Sequence, residues 1–168
     1  GAVGAGLIAT SGFSSSTIAQ STDLLHRTIH STGEKVPAVG LGTALEFGDI
    51  TANYSKRKNA IKALIREGGK VIDTSPTYSN AEKIVGRALD ELGARDKCFL
   101  ATKISVRGDK KEGIDQSIQS YKDLKTNSFN LLQVHNLRGT KAHLETINAL
   151  KKEGKVSYTG VTHFRDSQ

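Results

Sequence analysis

The sequence predicts an α/β fold in which about five parallel strands alternate with helices, and three observations predict it. Short apolar runs, β-branched or flanked by glycine, recur along the chain. Between them lie longer segments whose apolar residues recur at spacings of three and four. The connections are short. This alternation implies a parallel sheet with right-handed crossovers. A closed barrel and an open doubly wound sheet both satisfy the order, and periodicity alone does not choose between them.

The elements follow in turn. Val39-Gly40-Leu41-Gly42-Thr43 is the first candidate strand. Asn59 to Arg66 sets Ala60, Ile61, Ala63, Leu64 and Ile65 in a helical pattern, and Gly68-Gly69 ends it. Lys70-Val71-Ile72-Asp73 reads as a buried strand. Ser79-Asn80-Ala81-Glu82 has the spacing of a capping box, in which Ser79 and Glu82 satisfy each other's backbone N–H groups. The helix behind it lines up Ile84, Val85, Ala88, Leu89 and Leu92, with Gly93 as its terminator. Cys98 to Thr102 is a third strand, with Cys98 expected to be buried. Ile114, Ile118 and Tyr121 suggest a helix. Phe129 to His135 is the clearest buried strand. Leu144, Ile147 and Leu150 mark the last helix, ended by Gly154, and Lys155 to Val161 is the fifth strand.

Composition narrows the class. The chain has 168 residues, 36% apolar and 24% charged, which suits one folded domain. No run reaches the roughly 18 apolar residues of a membrane-spanning helix. One Cys makes no internal disulfide, and no zinc-type Cys/His spacing occurs. The net charge of +7 is spread along the chain, and aromatics are only 5%. That argues against a nucleic-acid binder and reads Lys56-Arg57-Lys58 as a solvated face. A basic surface would still draw a phosphorylated cofactor. Residues 1–22 differ from the rest. Ala2 to Ala9 is apolar, Ser/Thr-rich sequence follows, and Thr17-Ile18-Ala19 precedes Gln20 like a small-residue cleavage site. They are expected to be a signal-peptide remnant or a flexible leader, and residues 23–168 the folded part. A signal would place the protein outside the cytoplasm.

Asp73, Lys103 and His135 end the second, third and fourth strands, and Tyr78 follows Asp73 in the next loop. In a parallel barrel those ends face one side, so one residue per strand can converge on a pocket. A doubly wound sheet would hold some too far apart. Each has a plainer reading alone: a turn aspartate, a surface lysine, a structural histidine, a packing tyrosine. Together they suit one chemistry. A tyrosine hydroxyl titrates near 10, too high for easy proton donation. A nearby ammonium stabilises its phenolate, a carboxylate holds the ammonium, and a histidine can hydrogen-bond a carbonyl oxygen. That is general-acid catalysis on a carbonyl, with Tyr78 as acid.

These residues resemble the aldo/keto reductase family. Gly33 to Thr43 resembles its opening turn and first barrel strand. Val71-Ile72-Asp73-Thr74-Ser75-Pro76-Thr77-Tyr78, with Ser79 to Glu82 behind it, resembles its signature. Ala101-Thr102-Lys103 resembles the lysine strand, and Leu131 to Asn136 the histidine strand. The likeness runs from about residue 28 to 165. It implies a partial (β/α)8 barrel and an oxidoreductase that reduces aldehydes or ketones with NADPH, NADH being possible. Tyr78 would protonate the oxygen, Lys103 would favour its phenolate, Asp73 would pair with Lys103, and His135 would orient the substrate. Gly42, Thr43, Asp73, Thr162 and His163 would lie at the cofactor.

Two departures stand out. The family commonly has Ser-Asn where this chain has Thr162-His163. A whole barrel needs eight strands and about 250 residues, with phosphate sites after strands seven and eight. The chain ends after the fifth strand, so it is expected to be an N-terminal fragment, inactive alone and weak in cofactor binding. Two other functions compete. One is a non-catalytic nicotinamide-binding regulator of the same fold. The other is a metal-dependent lyase using His135 and His163.

Overall fold

The computed structural model describes residues 24–49 and 53–164. The leader expected over residues 1–22 lies outside them. The described chain opens with an antiparallel hairpin, β1 (His26–Thr28) and β2 (Lys35–Pro37). Five strands and four helices then alternate: β3 (Gly40–Gly42), α1 (Tyr54–Arg66), β4 (Val71–Asp73), α2 (Ala81–Glu91), β5 (Phe99–Ile104), α3 (Lys110–Asp123), β6 (Phe129–Val134), α4 (Thr140–Lys152) and β7 (Val156–Val161). The sheet order is β3-β4-β5-β6-β7, and every pair is parallel. That order never reverses. A doubly wound sheet reverses at a switch point, so the partial barrel is the correct reading of the two left open.

One face of the sheet packs under the helices. Ile72, Leu100, Leu132 and Val134 bury against Ile61, Val85, Leu89 and Ile147. Each such side chain contributes about 1.5–3 kcal/mol by leaving water. Cys98 is buried as well. On the other face Phe99 and Tyr158 stack with ring centroids 5.8 Å apart. The Tyr158 hydroxyl donates to Glu34 Oε2 at 2.5 Å and lies 2.7 Å from Thr32 Oγ1. The hairpin tip is thereby tied to β7.

Helix ends follow the glycines. Gly68, Gly93 and Gly154 take φ of 83°, 55° and 73°, left-handed values that stop α1, α2 and α4. Gly86 serves packing instead: a Cβ there would run into the Asp123 carbonyl, so α2 meets the end of α3 backbone to backbone.

Two local expectations need correction, and one helix that forms as expected buries an unexpected face. The capping box at Ser79–Glu82 does not form. Ser79 has a φ of 53°, the N-cap is Asn80, and its side chain makes no cap bond. Glu82 turns inward, 4% exposed, and accepts from Thr102 Oγ1 at 2.5 Å and Ser120 Oγ at 2.9 Å. The spacing is used one helix later, where Asp109 and Glu112 cap each other. The helix suggested by Ile114, Ile118 and Tyr121 forms as α3, with Ile114 and Ile118 exposed. Its buried residues are Gly113, Ser117 and Ser120, small enough to let the helix approach β5 and α4. Last, Arg57 is not solvated like its neighbours. It is buried, and its Nε and Nη2 both donate to the Glu46 carbonyl, which holds the loop between β3 and α1.

Candidate active site

The parallel register sets the site. Gly42 pairs with Asp73, Asp73 with Ala101, and Lys103 with Gln133. Period-two alternation then puts Asp73, Lys103 and Gln133 on the face away from the helices. Lys103 Nζ lies 2.6 Å from Asp73 Oδ2 and donates to the Thr74 carbonyl at 2.8 Å. Gln133 Nε2 reaches Asp73 Oδ1 at 3.4 Å. The lysine is buried by this neighbourhood, whereas the aspartate is partly open.

Tyr78 enters from the loop after β4. Its ring centroid is 5.1 Å from Lys103 Nζ and 5.9 Å from the His135 ring, which meets it edge-on at 86°. The loop is held from below. Gly48 lies against the Tyr78 carbonyl, where a Cβ would collide, and Asn80 Nδ2 donates to the Gly48 carbonyl at 3.3 Å. The structure therefore brings Asp73, Tyr78, Lys103 and His135 together on one side of the sheet.

His135 follows β6 directly, in a tight turn where Asn136 and Leu137 adopt φ of 54° and 56°. Its ring is buried, and Nδ1 faces three hydroxyls: Ser105 Oγ at 2.7 Å, Ser75 Oγ at 3.2 Å and Thr77 Oγ1 at 3.5 Å. Burial holds the imidazole below the usual histidine range, with the Lys103 and Arg138 charges adding to it and Asp73 opposing. Nε2 is left for the site. Ser75, Thr77, Ser105 and Gln133 went unread in the sequence. A signal existed: Ser75, Ser105 and His135 each stand two residues beyond Asp73, Lys103 and Gln133, one layer further along the same face.

The remaining expected residues are placed as follows. Gly42 is exposed, and a Cβ there would meet no atom within 4 Å. Thr43 is fully buried, and its hydroxyl donates to the Asp73 carbonyl at 3.0 Å, which ties β3 to β4. Thr162 Oγ1 accepts from the Asn136 N–H at 3.1 Å and so braces the His135 turn. His163 is exposed, 6.0 Å from the Phe164 ring. Among the described residues no group of three or more His, Cys, Asp or Glu side chains is placed to hold a metal, and this gives the lyase reading no site there. No described helix is long and apolar enough to cross a membrane. A concavity of about 480 Å³ between Arg95, Lys125, Asn127 and Ser157 lies where β5, β6 and β7 begin, away from these side chains.

Residues 38–168 match the aldo/keto reductase family. The chain belongs to that family. The aldo-keto reductase YhdN of Bacillus subtilis is 29% identical over 159 residues, covering 85% of this chain and 48% of its own. The glyoxal reductase of the same organism is 27% identical over 140 residues, covering 79% of this chain and 48% of its own. An aldo-keto reductase from Klebsiella pneumoniae, solved in complex with NADPH, superposes with a TM-score of 0.72 at 28% identity, over 84% of this chain and 51% of that one. The chain thus spans about half the length of the relatives it matches.

Proposed function

We propose that this site, within a complete barrel, reduces the carbonyl of a small aldehyde or ketone with NADPH, NADH being the alternative donor. The observation that carries the reading is the contact set around Tyr78: an ammonium 5.1 Å from its ring and an imidazole at its edge. The family supports it, since an aldo/keto reductase is an oxidoreductase. The binding of NADPH by the Klebsiella relative supports the cofactor.

The residues fit a nicotinamide. Gly42 leaves its strand end bare, the Gln133 amide offers donors beside Asp73, and Thr162 keeps a hydroxyl proton after accepting from Asn136. Gly42, Gln133 and Thr162 would hold its ring and carboxamide, with Asp73 beneath. His163 stands where the family commonly has an amide that can both donate and accept, and would offer a ring nitrogen there. When bound, the reduced ring supplies a hydride.

The chain's own part is positional and protonic. A substrate oxygen seated between Tyr78 and His135 would take a hydrogen bond from each. Lys103 sets a positive charge beside Tyr78, facing the negative charge that develops on the phenol oxygen as its proton leaves. Asp73 holds that ammonium in place at 2.6 Å. Tyr78 then passes its proton to the oxygen as negative charge develops there.

The test is oxidation of NADPH by the full-length protein against a panel of aldehydes beginning with glyoxal. Turnover is expected. Cofactor binding without turnover would instead support the regulatory nicotinamide binder. Residues 1–22 are proposed to be an export leader, which N-terminal sequencing of the mature protein tests.

A further inference from the structure

Ser105 and Ser75 are buried polar residues with no role in the chemistry set out above, at 4% and 0% exposure. Their hydroxyls lie 3.1 Å apart, and both reach His135 Nδ1, Ser105 at 2.7 Å and Ser75 at 3.2 Å. Ser75 Oγ accepts from the Thr77 N–H at 3.3 Å and lies 3.0 Å from Thr77 Oγ1. No carbonyl or carboxylate is among these contacts to Nδ1. A histidine that keeps its proton on Nδ1 is usually held so by an acceptor of that kind. A hydroxyl can donate or accept, so direction follows from its neighbours. The Thr77 N–H can only donate. It fills one lone pair of Ser75 and leaves the Ser75 proton to point at Thr77 Oγ1, Ser105 Oγ or the ring. The shortest contact of Ser105 is to the imidazole nitrogen, which accepts better than a second hydroxyl.

We infer that Ser105, backed by Ser75, is the positioning residue for His135: its hydroxyl donates to Nδ1, fixes the proton on Nε2, and so makes the imidazole a hydrogen-bond donor to the substrate oxygen. The inference rests on the carbonyl-reduction reading, because a carbonyl oxygen can only accept. With the wrong tautomer, Nε2 would present a lone pair to that oxygen and repel it. Burial and the Lys103 and Arg138 charges oppose a second proton on the ring.

Two readouts test it on the full-length chain. The first is nitrogen-15 NMR of histidine-labelled protein, which reports which ring nitrogen carries the proton and needs no turnover. The protein is expected to show the proton on Nε2, Ser105→Ala a mixture of tautomers, and Ser105→Thr the original pattern. The second is steady-state kinetics. Ser105→Ala is expected to lose about tenfold in kcat, the size of one net hydrogen bond, with the cofactor KM unchanged and Ser105→Thr recovering most of the loss. A proton on Nδ1 in the unaltered protein would overturn the inference, as would Ser105→Ala with both tautomer and kcat unchanged. If no carbonyl is turned over, the reductase reading fails, and the NMR result alone then decides the tautomer.

Discussion

Lys103 and Asp73 meet at 2.6 Å across adjacent strands, yet the lysine side chain is 5% exposed and the aspartate 39%. The pair is lopsided, and its two halves should not be equivalent on mutation. Asp73→Asn leaves a buried ammonium with neutral partners. Lys103→Met leaves a carboxylate that water can reach. Removing one partner of a buried pair can cost 3–5 kcal/mol, and an exposed partner escapes most of that. Asp73→Asn is expected to lose about 2–3 kcal/mol of stability and Lys103→Met about 1 kcal/mol or less. Urea denaturation of both variants measures the difference. Equal losses would contradict the account of which group carries the desolvation.

Glu82 joins α2 to β5 and α3 through Thr102 and Ser120. Burial pushes its carboxyl up to about 7, against the pull of the two hydroxyl donors. The folded value lies above the ordinary 4.5, so the folded state holds a proton that the unfolded state has lost. The stabilisation is full below about 4.5 and disappears as pH rises through 7. Its size is about 3 kcal/mol, from 1.36 kcal/mol per pH unit. Glu82→Gln copies the protonated carboxyl, with Oε1 accepting from one hydroxyl and Nε2 donating to the other, and removes the titration. The urea midpoint of the protein should fall relative to the variant's between pH 4.5 and 7. Parallel curves would show that Glu82 is ionised at no cost.

His135 titrates the other way. Its imidazole is held below the usual range, by burial first. The folded state then binds its proton later than the unfolded state as pH falls. The stability concerned is present above the unfolded value of about 6.5 and is lost as pH drops toward the folded value. An NMR titration should give a midpoint below 6.5 for His135 and raise it in Arg138→Gln. A midpoint at or above that of a free histidine would mean the ring is better solvated than its burial states.

Much of this was legible in the sequence because it lies in strands and their ends. Ile72, Leu100 and Leu132 announce buried strands, and period two carries Asp73 and Lys103 to one face. The unread parts depend on neighbours distant in the chain. Glu82 has the spacing of a capping partner, but the fold turns it inward to Thr102 and Ser120, which lie 20 and 38 residues along the chain. Arg57 sits in a basic run, and only the fold brings the Glu46 carbonyl to it. Ile114 and Ile118 mark the helix, while its buried face is set by small Ser117 and Ser120, which closeness to α2 and β5 requires. Ser75 and Ser105 look like ordinary loop residues until His135 is set between them.

Tyr78 is proposed as the acid, and its neighbours only enable it. Tyr78→Phe keeps the ring that packs against His135 and Lys103 and removes the one proton. The most direct measurement compares kcat for NADPH-dependent aldehyde reduction in the full-length protein and in Tyr78→Phe, with cofactor affinity read in parallel by fluorescence. The account predicts a loss of about 10²- to 10⁴-fold in kcat, the usual contribution of a general acid, with cofactor affinity unchanged. A variant that reduces aldehydes at the original rate would place the acid elsewhere and contradict the assignment.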